Sequence, residues 1–272
     1  MKTILASLLA ITASTAVAAT VTIVDTTPGT ANNNGVISPG EYAGSSLGIN
    51  QGSGDIIGVA SRLYIDSDTS GKLSFGLQSA GNNNFGLVVI YIDSQTGGLN
   101  STVPITDASD TWRAAISGNG SNSGESELNF APDFFADYAI AIAGNSPRLY
   151  WILGDGSLFF AGTPTFTRDN NQVWKMDLSV TNIGIAANSG ASFKYVATHI
   201  QNTSNANRSN EFQGVADGSF SGSNIGSNPA TLASGDYNVF QVVPEPSSSF
   251  LFAASALGLF LIRRHRELPE NA

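Results

Sequence analysis

Turn-forming residues break most of this chain into short pieces. Gly, Asn and Ser recur about every ten positions, and the runs between them are alternating or β-branched. That punctuation predicts an all-β fold. Residues 72–78 place Leu73, Phe75 and Leu77 on one face of a strand. Residues 173–180 do the same with Trp174, Met176, Leu178 and Val180. A period of two with polar partners marks half-buried strands. Residues 85–92 are nearly all apolar, which predicts a central strand covered on both faces. Further strands are expected at 21–24, 56–65, 138–143, 149–153, 193–200 and 237–242. Asp66 to Gly71 forms a natural hairpin loop, and 132–137 a short helical turn. Strand number and spacing predict a single antiparallel β-sandwich of jelly-roll type. The stretches 202–210 and 214–228 are poor in apolar residues and read as long loops.

Both ends of the chain stand apart from this pattern. Lys2, the apolar run 4–11 and the small residues Ala16 and Ala18 have the order of a secretory signal peptide. Its removal would leave a mature chain starting near Ala19 or Thr20, so residues 1–19 are assigned to the signal. At the other end come Pro244-Glu245-Pro246, an uncharged run at 247–262, and a basic group of Arg263, Arg264 and Arg266. As a helix the run would reach ~24 Å, short of a ~30 Å hydrocarbon core. Snorkelling flanks or local thinning cover that gap. The arginines at its end place the C-terminus in the cytoplasm. One β-sandwich domain, 20–243, lies between the signals, and 244–272 forms the C-terminal unit.

The C-terminal unit resembles the PEP-CTERM sorting signal of Gram-negative bacteria that make exopolysaccharide. Pro244, Glu245 and Pro246 match its signature, 247–262 its transmembrane helix, and Arg263, Arg264 and Arg266 its basic end. The resemblance implies recognition by an exosortase, a membrane cysteine enzyme that acts like a transpeptidase. Cleavage near the tripeptide would remove the helix. The precursor would be anchored in the inner membrane, and the mature protein would reach the cell surface or extracellular matrix.

Composition narrows the cargo's chemistry. Residues 20–243 hold 18 acidic and 8 basic side chains, a formal charge of −10. Such a domain repels nucleic acid, which is bound through Lys and Arg. The chain has no cysteine, so disulfides, zinc-thiolate sites and thiol nucleophiles are excluded. His199 is the only histidine in the exported span. No nucleophile motif surrounds it, and it reads as a strand histidine.

Two loops have the oxygen spacing of a Ca²⁺ site. With Gly35 at the sixth position of a twelve-residue loop, Asn32, Asn34, the Val36 carbonyl, Ser38 and Glu41 fall at ligand positions. Thr30 stands where an aspartate is usual, and Pro39-Gly40 would break an exiting helix. The alternative is an Asn/Gly-rich turn. Asp66, Asp68 and Ser70 repeat the spacing, but Leu77 occupies the final ligand position, and a plain hairpin also fits. Glycoside hydrolysis needs two carboxylates at a defined separation, and Glu125, Glu127, Asp133 and Asp137 lie close in sequence, which does not fix their separation across a cleft. Trp112, in a polar stretch, is the expected exposed aromatic for sugar stacking. Trp151 is ambiguous, and Trp174 belongs to the core.

Gly35 to Tyr42, Leu63 to Ile65, Leu73 to Phe75 and Val89 to Asp93 resemble the opening strands of DOMON-like sandwiches related to carbohydrate-binding module 9. That resemblance implies a sandwich and, more remotely, sugar binding. The function expected is a non-enzymatic surface or exopolysaccharide-matrix protein. A carbohydrate-binding module is the alternative, and a polysaccharide hydrolase is a third reading.

Overall fold

A computed structural model describes residues 20–25, 29–49, 61–79, 87–118, 127–169, 173–200, 211–213 and 230–242. The expected loops at 202–210 and 214–228, the signal peptide and the segment 244–272 lie outside these residues. The first five strands are β1 (Val21–Val24), β2 (Gly44–Ile49), β3 (Arg62–Ser67), β4 (Lys72–Gln78) and β5 (Leu87–Asp93). Helix α1 (Thr111–Ile116) follows. Next come β6 (Leu128–Asn129), β7 (Tyr138–Ala143), β8 (Ser146–Ile152), β9 (Leu158–Gly162), β10 (Thr165–Asp169) and β11 (Val173–Ser179). After a 3₁₀ turn at Val180–Ile183 come β12 (Ser192–Ile200), β13 (Glu211–Gln213), β14 (Ala230–Thr231) and β15 (Asn238–Gln241).

The strands form two antiparallel sheets, as expected. One runs β10-β11-β4-β3-β2. The other runs β13-β12-β5-β7-β8-β9, and β2 pairs with β13 to join them. β15 also lies against β12, and β1 adds to it in parallel. A second parallel pairing, β14 with β6, stands apart from the sheets.

Alternation along each strand places the core. Leu63, Ile65, Phe75, Trp174 and Met176 of one sheet face Ile90, Ile140 and Tyr195 of the other. The opposite face of the second sheet is covered as well. Val89, Tyr91, Ala139 and Tyr150 pack there against Ile116, Phe130 and Phe134. β5 is therefore buried on both sides, which is why its sequence loses alternation. Each fully buried large apolar side chain contributes about 1.5–3 kcal/mol. A core of this extent needs no disulfide to hold it.

Several local elements depart from the sequence reading. The helical turn expected at 132–137 is irregular. The helix is instead α1, capped by Asp110, whose Oδ1 accepts the Arg113 N–H at 2.9 Å. The sequence reading also places no strand at β2, β6, β9, β10, β13 or β14, of which β9 and β10 form the outer edges of the two sheets.

Candidate functional site

The loop from Thr30 to Glu41 bends as an oxygen-ligand loop must. Gly35 takes φ +80°, the left-handed conformation its position in the turn requires. The loop lies on β10 and β11, and the Thr167 hydroxyl donates to the Asn33 carbonyl at 3.2 Å. Its oxygens do converge, but on a side chain of the same protein. Lys175 Nζ, projecting from β11, donates to the Asn32 carbonyl and to Asn34 Oδ1, each at 2.9 Å. It also donates to Glu41 Oε1 in a buried ion pair. At the expected Ca²⁺ position of Asn32, Asn34, Val36, Ser38 and Glu41, the oxygens of Asn32, Asn34 and Glu41 thus meet an ammonium. Val36 uses its N–H to reach Asn34 Oδ1 at 3.0 Å, and Ser38 donates its N–H to Glu41 Oε2 at 2.8 Å. Burial pushes the Glu41 carboxyl up. The hydrogen bond from Lys175 and those from Ser38 and Asn32 outweigh it, so the group is held below the ordinary range.

The second loop resolves into a hairpin and a buried acid. Asp68 Oδ1 accepts the N–H groups of Ser70 and Lys72, each at 2.8 Å, and the Ser70 hydroxyl at 2.6 Å. These local donors hold Oδ1 within the turn. Gly71, at φ +82°, closes the turn, and a Cβ there would lie 2.6 Å from that of Ala187. Asp66 points the other way and is fully buried. Its Oδ2 accepts the Ala31 N–H at 3.0 Å. The expected ligand set Asp66, Asp68 and Ser70 is therefore split between interior and turn. Among the described residues, no group of three or more His, Asp or Glu side chains is placed to hold a metal ion.

Burial pushes the Asp66 carboxyl up to about 6, and the neighbouring Asp25 carboxylate adds to that. The Ala31 N–H and the Lys72 charge oppose the shift without cancelling it. Such a group binds its proton more tightly in the folded chain than in the unfolded one, where its pKa is about 3.9. Its contribution favours folding below about pH 4 and is withdrawn as the pH rises through about 6. Asp66→Asn is expected to flatten that part of the stability profile. Urea midpoints measured from pH 4 to pH 7 check this. A slope equal to that of the wild type would contradict it.

The acidic residues near 125–137 do not form a described carboxylate pair. Glu125 lies outside the described residues, and Glu127 is half-buried. Asp133 is exposed and accepts the Tyr237 hydroxyl. Asp137 is buried, and its Oδ2 accepts the N–H groups of Ser94 at 2.9 Å and Gln95 at 2.7 Å. It therefore caps the chain leaving β5. His199 is buried on β12, in register with Val88.

The tryptophans divide by role. Trp174 is fully buried, with the Phe166 ring edge-on at 5.9 Å. Trp112 is only half-buried, but it is not an open sugar platform. Its indole N–H donates to the Ser146 carbonyl at 2.7 Å, and the Arg148 guanidinium covers the ring at 3.5 Å. Arg148 in turn reaches Asp110 Oδ2 at 3.2 Å, so Trp112 clamps α1 to β8. The residue expected to bind ligand, Trp112, is thus engaged by Ser146 and Arg148. Exposed rings lie elsewhere: Trp151 on β8 is 43% exposed, Phe159 and Phe160 on β9 are 63% and 46% exposed, and Phe135 is 40% exposed. Trp151 falls in the strand expected at 149–153, whereas Phe159 lies in β9, where the sequence reading places no strand. Only knowing that β9 is an edge strand shows them to be uncovered.

Pro244, Glu245, Pro246, Arg263, Arg264 and Arg266 lie outside the described residues. No helix among the described residues is long and apolar enough to cross a membrane. Comparison with known families bears on this tail directly. Residues 242–266 match the PEP-CTERM protein-sorting motif. The match covers the tripeptide, the apolar run and the arginines in one continuous unit. It marks an exported bacterial protein with a membrane-anchored precursor, processed by an exosortase. None of the curated proteins matches the chain.

Proposed function

We propose that this chain is the precursor of a non-enzymatic protein displayed on the surface, or held in the exopolysaccharide matrix, of a Gram-negative bacterium. The PEP-CTERM match at 242–266 carries the proposal. It supplies a delivery route for the sandwich domain and a partner, the exosortase. The domain's own groups point to structure rather than turnover. Asp137 caps a strand, Glu41 is neutralised by Lys175, and His199 lies in a buried strand. In the producing bacterium, antibody labelling of intact cells is expected to detect the sandwich domain, with further signal in washed matrix. A signal seen only after permeabilisation would overturn the proposal.

A second reading is favoured by one observation. Trp151 and Phe159 expose large aromatic surface at a sheet edge, as a carbohydrate-binding module does.

A further inference from the structure

The exposed large apolar side chains are not scattered evenly. Trp151 and Phe159 are cross-strand partners in the β8–β9 ladder. Directly paired residues lie on the same face with Cβ atoms about 5 Å apart. Tyr138, the partner of Trp151 on β7, continues the row inward, where it is buried. The result is an aromatic row running across three strands, its outer two rings open to solvent.

Polar groups border this row. The exposed Gln95 donates its side-chain N–H to the Tyr138 hydroxyl at 3.2 Å. A Cβ on Gly184 would collide with the Gln95 amide, so that side chain lies across the glycine that ends the 3₁₀ turn. A cleft of about 310 Å³ reaches Leu149 of the strand that carries Trp151 and is lined also by Thr165, Asp177 and Asn182. Leu149 is two residues from Trp151 on the same face of β8.

We infer that the Trp151–Phe159 row, with Gln95 at one end and the cleft at Leu149 and Asn182, binds an uncharged pyranose chain. A pyranose has one face of C–H bonds, which stacks on aromatic π faces, and a rim of hydroxyls, which pairs with amides. Both kinds of group are adjacent here. Two exposed rings are too little for a stable protein interface, which needs about 800 Å² per partner. The formal charge of −9 disfavours polyanionic chains and anionic lipid. This inference rests on the carbohydrate-binding reading and supplies its site and its class of ligand.

The test uses the full chain in a polyoxyethylene detergent, which carries no sugar headgroup to compete. Retention is measured on cellulose, amylose and chitin, with alginate as the polyanionic comparison. The chain is expected to bind at least one neutral polymer, and Trp151→Ala and Phe159→Ala are each expected to weaken that binding roughly tenfold. Far-ultraviolet circular dichroism and urea midpoints like those of the wild type would show that both variants fold. Neutral-glycan binding unchanged in both variants would overturn the site while leaving the carbohydrate-binding reading intact. Retention by no polymer would overturn both. Retention by alginate alone would overturn the charge argument and with it the proposed ligand class. Self-association that is lost in Trp151→Ala, without glycan retention, would identify the row as a contact between copies and overturn the inference.

Discussion

Lys175→Met is expected to destabilise the folded protein by about 3 kcal/mol, the lower end for breaking a buried ion pair. The lower end applies because Glu41, though screened from water, lies beneath a single loop whose Asn32, Asn34 and Ser38 are exposed. Methionine keeps the length and apolar body of lysine, so the loss isolates the charge. It leaves a carboxylate without its partner and removes the donor held by Asn32 and Asn34. Adding Glu41→Leu to that variant is expected to recover much of the loss, since an apolar pair of similar volume replaces a buried ion pair at little cost. Urea unfolding of the single and double variants measures both effects. In the wild type, the Glu41 carboxyl is held below its ordinary range. Its contribution is therefore complete above its unfolded pKa of about 4.3 and lost as the pH falls through the lower folded value. A metal chelator is expected to leave the wild-type melting temperature unchanged. A drop on chelation would mean that a cation other than Lys175 stabilises the fold.

Trp174→Ala is expected to cost about 3–5 kcal/mol, because it removes a fully buried indole from between the sheets. Met176, Phe75 and Leu77 pair or lie beside it in the β11–β4 ladder, and they would border the cavity. Trp151→Ala, at the open edge, is expected to change stability by no more than about 0.5 kcal/mol. The contrast separates aromatic residues that hold the sandwich together from those left free to meet a ligand. Equilibrium unfolding of both variants under one set of conditions measures it. A large loss for Trp151→Ala would show that its ring supports the β8–β9 edge.

The β fold was legible because it rests on local chemistry. Val21–Val24 and Tyr138–Ala143 form strands with the bounds their sequences predict, and the face containing Trp174 and Met176 is buried. β5 was legible for the opposite reason, since loss of alternation marks burial on both faces. The sequence reading places no helix at α1, although Asp110 ahead of Arg113, Ala114 and Ala115 is a usable start signal.

The candidate site was less legible because its decisive contacts are distant in sequence. The loop at Thr30 to Glu41 has the oxygen spacing of a cation site, and its oxygens do surround a positive charge. That charge comes from Lys175, 134 residues beyond Glu41, which β11 brings in. Trp112 read as exposed from its polar neighbours, yet one of the covering groups is Arg148, on a strand far along the chain. Trp151 read as ambiguous because its exposure depends on β9 being a sheet edge. The tail needed no such tertiary information. Its tripeptide, apolar run and arginines are contiguous, and the sorting motif is matched over the same residues.

The most direct measurement is the mature C-terminus of the protein in its producing bacterium, with and without the exosortase. Intact-mass analysis of surface and membrane fractions is expected to find a chain that ends near Pro244–Pro246 and lacks residues 247–272. Without the exosortase, or in a Pro244→Ala/Glu245→Ala variant, the full-length form is expected to accumulate in the inner membrane. A surface form that still carries Arg263 to Arg266, or processing that continues without the exosortase, would contradict the account.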